Sequence, residues 1–332
     1  MRPLHCRETL YPLANSAPVD DESWDADLLA LDGHFLQSSA WLRVQAALGY
    51  DVMSRRERGW QWAAALRSGR FPRYLYTPYG PASASDAEAA LRDVAAAARA
   101  RGLDFARVEP DTAALPALRA VGARAAPSIQ PRWTWVLDLT AGIESLRGGL
   151  EAGHRSRINA AARRGIRVWH TENPADIGVF LALQQRARGR TAFQGQPDTY
   201  HRKVVDTLMP LGAAALYIAG IDNQPLAASI CFDFGHTRYY AHSASDPDAG
   251  RRLGAGPPLL WQMILDAKAR GAACFDFWGV IPDHDPSHPW AGFSQFKKGF
   301  GGRLLERAGT WELPVRAARY RVYASARRWR PR

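Results

Sequence analysis

The sequence predicts an α+β (mixed α/β) protein made of two similar domains, and three observations carry that expectation. The chain has 332 residues, enough for two domains of ordinary size, each with its own core. Helical periodicity alternates along it with short aromatic and β-branched runs. The order helices, meander, crossover strand occurs twice, although no sequence repeat strong enough to prove a duplication joins the halves.

In the first half, residues 20–31 and 34–52 read as helices. The second of these has Ser38 or Ser39 as cap, Trp41, Val44 and Leu48 on one face, and Gly49 at its end. WQWAAALRSG alternates weakly, as a hairpin strand does, and FPRYLYTPYGP closes in a turn. Residues 85–101 form a capped alanine-rich helix with Leu91, Val94 and Ala98 in register, followed after Gly102 by the strand LDFARVEP.

The second half opens with the strand WTWVLDLT. GIESLRGGLEAGHRSRINAAARRGIRV then gives a helix or helix pair ending at Gly165 and a strand to Trp169. PADIGVFLALQQRARGR and TYHRKVVDTLMPLG are helical, and AAALYIAGIDNQPLAASICFDFG makes two strands around a DNQP turn. TRYYAHSASD is the next strand, before the helix LLWQMILDAKARG and the strand ACFDFWGVI. A polar loop then leads to a lysine pair and to Gly299, Gly301 and Gly302.

Composition narrows the function classes. Hydrophobic residues make up 47% and charged residues 23%, and no apolar run approaches the roughly 20 residues that span a bilayer. MRPLHCRETLYPLANS lacks the apolar core of a secretory signal, so a cytoplasmic protein is expected. Cys6, Cys231 and Cys274 form no CxxC pair, which indicates neither a disulfide framework nor a zinc site. His284 and His288 of DHDPSH lack a supporting ligand cluster, so no metal is expected. A net charge of +11 attracts polyanions: nucleic acid, anionic lipid or phosphorylated small molecules. The tail from Val315 to Arg332 holds seven Arg and no acid. It reads as a terminal element whose Tyr and Trp pack inward, with RNA contact as an addition.

Two constellations carry chemistry. RRLGAG, with Arg251, Arg252, Gly254 and Gly256, fits the Arg-x-x-Gly-x-Gly pattern by which acetyl-CoA-dependent N-acetyltransferases hold a pyrophosphate, so these four residues are candidates for RNA or phosphate contact. Pro257 and Pro258, which lack an N–H, weaken that cradle. The second is FSQFKKGFGG. The chain has only four lysines against 39 arginines, yet Lys297 and Lys298 are neighbours here. That choice suggests a need for a compact ammonium rather than a planar fork.

The sequence resembles the Fem family of aminoacyl-tRNA-dependent peptidyltransferases, which build the branch peptides of bacterial peptidoglycan. The matching pieces are LQSSAW (36–41), PYGP (78–81), RVEP (107–110), IQPRWTWVLDLT (129–140), RSRINAAARRGI (155–166) and the specific pair FDFWG and FKKGFGG. The resemblance implies two tandem acyl-CoA N-acyltransferase (GNAT)-like domains without a coiled-coil arm. They would cover residues 1–137, completed by 308–332, and 138–307.

It also implies transfer of an amino acid from aminoacyl-tRNA, the co-substrate with no further cofactor, to an amine of a nucleotide-linked or lipid-linked muropeptide. No DNA partner and no transmembrane segment are expected, and work at the inner face of the membrane would involve peripheral contact only. Lys297 maps onto the lysine held to contact phosphate or stabilise the reacting ester, with Phe296 shaping the site and Glu109 and Asp276 as the carboxylates to consider as base. Gln37, Trp41, Arg43, Tyr79, Arg190, Tyr200, Tyr239, Tyr240, Trp278 and Lys298 are the implied substrate-binding positions. Gln45 and Tyr79 replace family cations, which puts the grip on a diphosphate in doubt unless Arg43 or Arg73 substitutes. Action on a secondary metabolite, acetyl-CoA-dependent N-acylation and a non-enzymatic RNA-binding module remain open alternatives.

Overall fold

The computed structural model describes residues 22–69, 71–188, 195–283 and 285–328. Cys6, Arg190 and His284 lie outside them. In chain order the first elements are α1 (Glu22–Ala30), α2 (Ser39–Ala47), β1 (Val52–Glu57), β2 (Trp60–Ser68), β3 (Arg73–Thr77), β4 (Ala82–Ser83), α3 (Ala87–Ala100), β5 (Phe105–Val108), α4 (Leu115–Ala120) and β6 (Arg124–Ala125). Then follow β7 (Trp133–Asp138), α5 (Ile143–Gly148), α6 (Ala152–Ala160), β8 (Arg167–Thr171), α7 (Ile177–Arg188), α8 (Asp198–Leu208), β9 (Ala214–Ile221), β10 (Gln224–Phe234) and β11 (Thr237–Ser245). The chain continues with α9 (Ala249–Leu253), α10 (Gly256–Ala269), β12 (Cys274–Gly279), α11 (Ala291–Lys298), β13 (Arg303–Glu306), β14 (Trp311–Pro314) and α12 (Ala317–Arg328).

The described residues form two compact units, one of those up to Arg132 together with those from Glu306 on, and one of those from Trp133 to Leu305. The first boundary falls at Arg132/Trp133 rather than at 137/138, because all of β7 pairs within the second sheet.

The first unit's sheet runs β1-β2-β3-β5-β14-β6, with β4 paired to β2. β3 and β5 are parallel and α3 is their crossover; Leu91, Val94 and Ala98 bury its apolar stripe in the core, as their spacing predicts. β14 returns from the end of the chain, placing Trp311 opposite Val108 and Pro314 opposite Phe105. The tail that follows is a helix whose Tyr320 is buried, with Tyr323 stacked on Phe105 at 5.0 Å. The 34–52 stretch is shorter in helix than its periodicity suggests: a 3-10 turn (Phe35–Gln37) precedes α2, whose cap is Ser38, accepting from Trp41 N at 3.1 Å.

The second sheet runs β13-β7-β12-β11-β10-β9-β8. Asp222 and Asn223, at φ 47° and 63°, make the β9–β10 turn. α10 packs on one face of this sheet in the main core, and α7 and α8 cover the other. β11 and β12 are parallel and pair over three positions only, ending at Tyr239 opposite Asp276. Each is bulged just beyond. Ala241 is the extra residue in β11, and residues 277–278 interrupt the β12–β7 register. The segment that reads as a loop before the lysine pair holds α11. Its N-terminus has no side-chain cap and it includes Gly292, so the usual helix signals are absent.

Candidate functional site

The site of the second unit is built where α11 meets the bulge of β12. Ser294 and Lys297 lie three residues apart, on one face of the helix, and both are buried. Ile281 N donates to Ser294 Oγ at 3.0 Å, and Lys297 Nζ donates to Gly279 O at 2.8 Å. The helix thereby clasps the chain leaving β12. FDFWG and FKKGFGG are joined by that second hydrogen bond, between residues 18 apart in the sequence.

The bulge has an identifiable cause. Trp278 sits at φ +65°, a conformation that costs a non-glycine residue about 1–3 kcal/mol. The Asp276 carboxylate offsets this by accepting from Trp278 N at 2.7 Å. The Trp278 ring meets Tyr239 edge-on at 6.0 Å. Tyr240 faces the opposite side of the sheet, in the main core, with Lys297 Nζ 5.7 Å from its ring centroid. Phe293 lies closer, its ring centroid 3.7 Å from Nζ.

Lys297 is 1% exposed. Burial pulls its amine down to about 7, and the Asp276 carboxylate opposes that fall. An ammonium carries three donors. Among the described residues, Nζ has a single hydrogen-bond acceptor, Gly279 O. Two N–H groups of a buried cation are therefore unspent, next to strands whose pairing has just stopped. Lys298 is held differently: Nζ donates to Pro282 O at 3.2 Å and lies 5.6 Å from the Trp135 ring centroid.

The wall behind Phe296 is tightly built. His154 Nε2 lies 3.0 Å from Phe296 O, and its ring packs edge-on against Phe300. A Cβ on Gly299 would meet the His154 ring at 2.7 Å, and one on Gly302 would meet Val136 O at 2.3 Å. Those two glycines serve backbone packing. His154, Ser294, Phe293 and the Gly279 carbonyl are the site groups that sequence reasoning missed. The only signal for His154 was its place beside RSRINAAARRGI.

RRLGAG does not form the expected pyrophosphate cradle. Arg251 and Arg252 lie in the last turn of the short helix α9, Gly254 follows it in the left-handed region at φ +73°, and α10 already starts at Gly256. The N–H groups of Gly254 and Ala255 both donate to Gly250 O, and Pro257 and Pro258 have none to give. A Cβ on Gly254 would press on Arg157, and one on Gly256 would lie 3.3 Å from Phe296. What remains for a phosphate is the pair of exposed guanidiniums.

The other sequence-predicted residues lie elsewhere. Glu109 belongs to the first unit, where it is buried and accepts from Tyr76 OH at 2.7 Å, Gln130 N at 3.0 Å, Ile129 N at 3.3 Å and the Thr310 hydroxyl. Burial raises its carboxyl, and these hydrogen bonds oppose the rise. Gln37 is equally committed: its amide donates to Ala63 O and Pro78 O and accepts from Ala63 N. Trp41 packs against Phe35 at 5.7 Å, and Arg43 is half-buried on α2. Tyr79 OH donates to Pro131 O at 2.9 Å, with the Arg307 guanidinium 4.5 Å from its ring centroid. The first unit thus supplies its own cation at the position where the sequence lacks one. Gln45 accepts from Arg67 at 3.0 Å. In the second unit, Tyr200 is half-buried on α8, edge-on to His242.

Comparison with known proteins gives this geometry a context. The model of the acetyltransferase (GNAT) domain family matches residues 152–297, ending on Lys297. A Lipid II:glycine glycyltransferase of Staphylococcus saprophyticus is 22% identical over 257 residues, covering 58% of this chain and 61% of that protein. The aminoacyltransferase FemB of Staphylococcus epidermidis is 22% identical over 257 residues, covering 59% and 61%. The chain is thus similar to proteins of the Fem family. It spans about three-fifths of the length of these curated relatives. A crystal structure of FemX superposes with a TM-score of 0.79 at 18% identity, covering 90% of this chain and 98% of that one, which establishes the tandem GNAT-like fold. No coiled-coil arm interrupts the helices of this chain among the described residues.

Proposed function

We propose that this protein, like the Fem family it resembles, transfers an amino acid from the 3′ ester of an aminoacyl-tRNA to an amine of a peptidoglycan precursor peptide. The observation that carries the reading is Lys297: a buried amine on one backbone acceptor, with two donors left for an anion. The names of the relatives, a Lipid II:glycine glycyltransferase and FemB, support the substrate class.

In direct aminolysis the precursor amine attacks the ester carbonyl carbon. A C–N bond forms, the carbonyl oxygen becomes an oxyanion, and the C–O bond to the ribose then breaks. The proton leaving the amine ends on the ribose oxygen. Lys297 as ammonium stabilises the oxyanion or an adjacent phosphate, a contribution typically worth about 10²–10³ in rate. Asp276 is the carboxylate that acts electrostatically on Lys297 and is the first candidate for relaying the proton. Acetyl-CoA as donor is disfavoured, because the backbone that would hold its pyrophosphate is spent on Gly250. The reading places the work in the cytoplasm, at the inner face of the membrane when the precursor is lipid-linked. No helix among the described residues is long and apolar enough to cross it.

The test is incubation with radiolabelled aminoacyl-tRNA and either nucleotide-linked or lipid-linked pentapeptide precursor, with and without ribonuclease. Label should appear on the peptide and vanish after ribonuclease treatment. Transfer that survives ribonuclease when acetyl-CoA is supplied would contradict the reading.

A further inference from the structure

The second unit carries a group of arginines that no described acid neutralises. Arg155 and Arg157 project from α6, Arg163 and Arg164 from the 3-10 turn that follows it (Ala162–Arg164), and Arg251 and Arg252 from α9; all six are exposed. Two contacts bring these segments together: Arg164 donates to Leu253 O at 3.1 Å, and the Arg157 side chain lies over Gly254. Arg155 extends the basic stretch toward the end of α5, where it donates to Gly148 O and Leu150 O. None of the six forms an ion pair with a described acid, whereas Arg186 and Arg270 of the same unit are paired with Asp246 and Glu172.

The surface adjoins the reactive lysine. α6 also carries His154, whose ring holds the Phe296 carbonyl, and Gly256, just past α9, touches the Phe296 ring. Phe296 is the residue before Lys297 in α11.

We propose that these six arginines form the docking surface for the phosphodiester backbone of the RNA that delivers the aminoacyl ester. The inference rests on the transfer reading above and names the part of the protein that would grip its donor. Guanidinium forks bind phosphate oxygens in pairs, and several in one field give the long-range attraction that a polyanion needs. A lipid surface fits less well. Peripheral membrane helices set large apolar residues beside their basic ones; among the described residues none of the exposed large apolar side chains lies on α6, on the turn 162–164 or on α9, and the flanking elements carry one each, Ile143 on α5 and Trp169 on β8.

The probe is an uncharged RNA hairpin with an acceptor stem and an unpaired CCA end, titrated by fluorescence anisotropy across a salt series. Arg163→Gln/Arg251→Gln/Arg252→Gln, made at positions without an ion pair, should bind about 10–100-fold more weakly. It should also lower the slope of log K against log salt by about one for each contact removed. Circular dichroism and thermal melting check that the variant is folded, and Arg163→Lys/Arg251→Lys/Arg252→Lys should recover most of the slope. Unchanged affinity and slope in the Gln variant would overturn the docking surface, even if the wild type transfers amino acids normally. So would binding to phosphatidylglycerol vesicles through these arginines with no RNA affinity. Arginine-dependent RNA binding in a protein that transfers nothing would uphold the surface and overturn the transfer reading.

Discussion

Glu109 in the first unit and Lys297 in the second are both buried charged groups, and they differ in what is left over. Glu109 receives four hydrogen bonds, from a strand tyrosine, two consecutive backbone N–H groups and a threonine of the returning segment. Gln37 nearby spends its whole amide on the backbone of residues 63 and 78. Lys297 has one acceptor and an aromatic face. Buried polar groups that are fully satisfied hold a fold together, while one that is under-satisfied awaits a partner. By that criterion Glu109 and Gln37 tie the first unit together, and the proposed function assigns the chemistry to Lys297 in the second.

The largest effect that would sharpen this contrast is on Lys297→Met, which should lower transfer by about 10²–10³. The same change should not harm the fold. Because burial depresses this amine from its ordinary range to about 7, the unfolded chain binds the proton more readily than the folded one between about pH 7 and 10, and wild-type stability rises with pH there. Urea titrations should therefore find the Met variant equal to or more stable than wild type at pH 6, by about 1–4 kcal/mol, with the gap closing toward pH 10. A large loss of stability at pH 6 would break the comparison.

Glu109→Gln should behave in the opposite manner. Putting an amide where four donors converge should cost about 1–3 kcal/mol of stability, read as a fall in the urea midpoint, while transfer per folded molecule stays near wild type. A collapse of transfer in a well-folded variant would move catalysis into the first unit.

A third, smaller effect concerns the α7–α8 face of the second sheet. His201 and His242 sit with ring centroids 4.7 Å apart, and burial pulls them down to about 4 and about 3. Both are neutral in the fold, so stability is full above the ordinary histidine range and is lost as pH falls from about 6.5 toward 4. Each histidine contributes a slope of about 1.4 kcal/mol per pH unit. His242→Phe should flatten that acid limb in a denaturation series. The smallest effect belongs to Lys298→Ala. Removing a partly exposed cation from Pro282 O should change stability by about 0.5 kcal/mol and transfer by a few-fold at most.

Much of the fold was legible because periodicity survives in single sequences. The α3 stripe, the Ser38 cap and the DNQP hairpin all act locally. β14 was harder to read: WELP places only two side chains inward, too few for an alternating pattern, and its partners β5 and β6 are far away in sequence. The site was legible only in part. FDFWG and FKKGFGG stood out, and the Gly279–Lys297 hydrogen bond supplies the physical reason. RRLGAG matched a phosphate loop by letter, yet Gly250 O takes the N–H groups that the pattern promises. Glu109 looked catalytic because a sequence cannot tell which donors converge on a carboxylate, and here they come from residues 76, 129, 130 and 310.

The most direct measurement uses the scarcity of lysine. With only four lysines in the chain, protein labelled with carbon-13 at the lysine Cε gives four resonances that can be followed by NMR across pH. One should titrate with a midpoint of about 7, disappear in Lys297→Met, and move to higher pH when an acceptor-stem RNA or phosphate is added. Four midpoints near 10.4, the ordinary range for an exposed amine, would contradict the claim that position 297 holds a buried, anion-ready lysine.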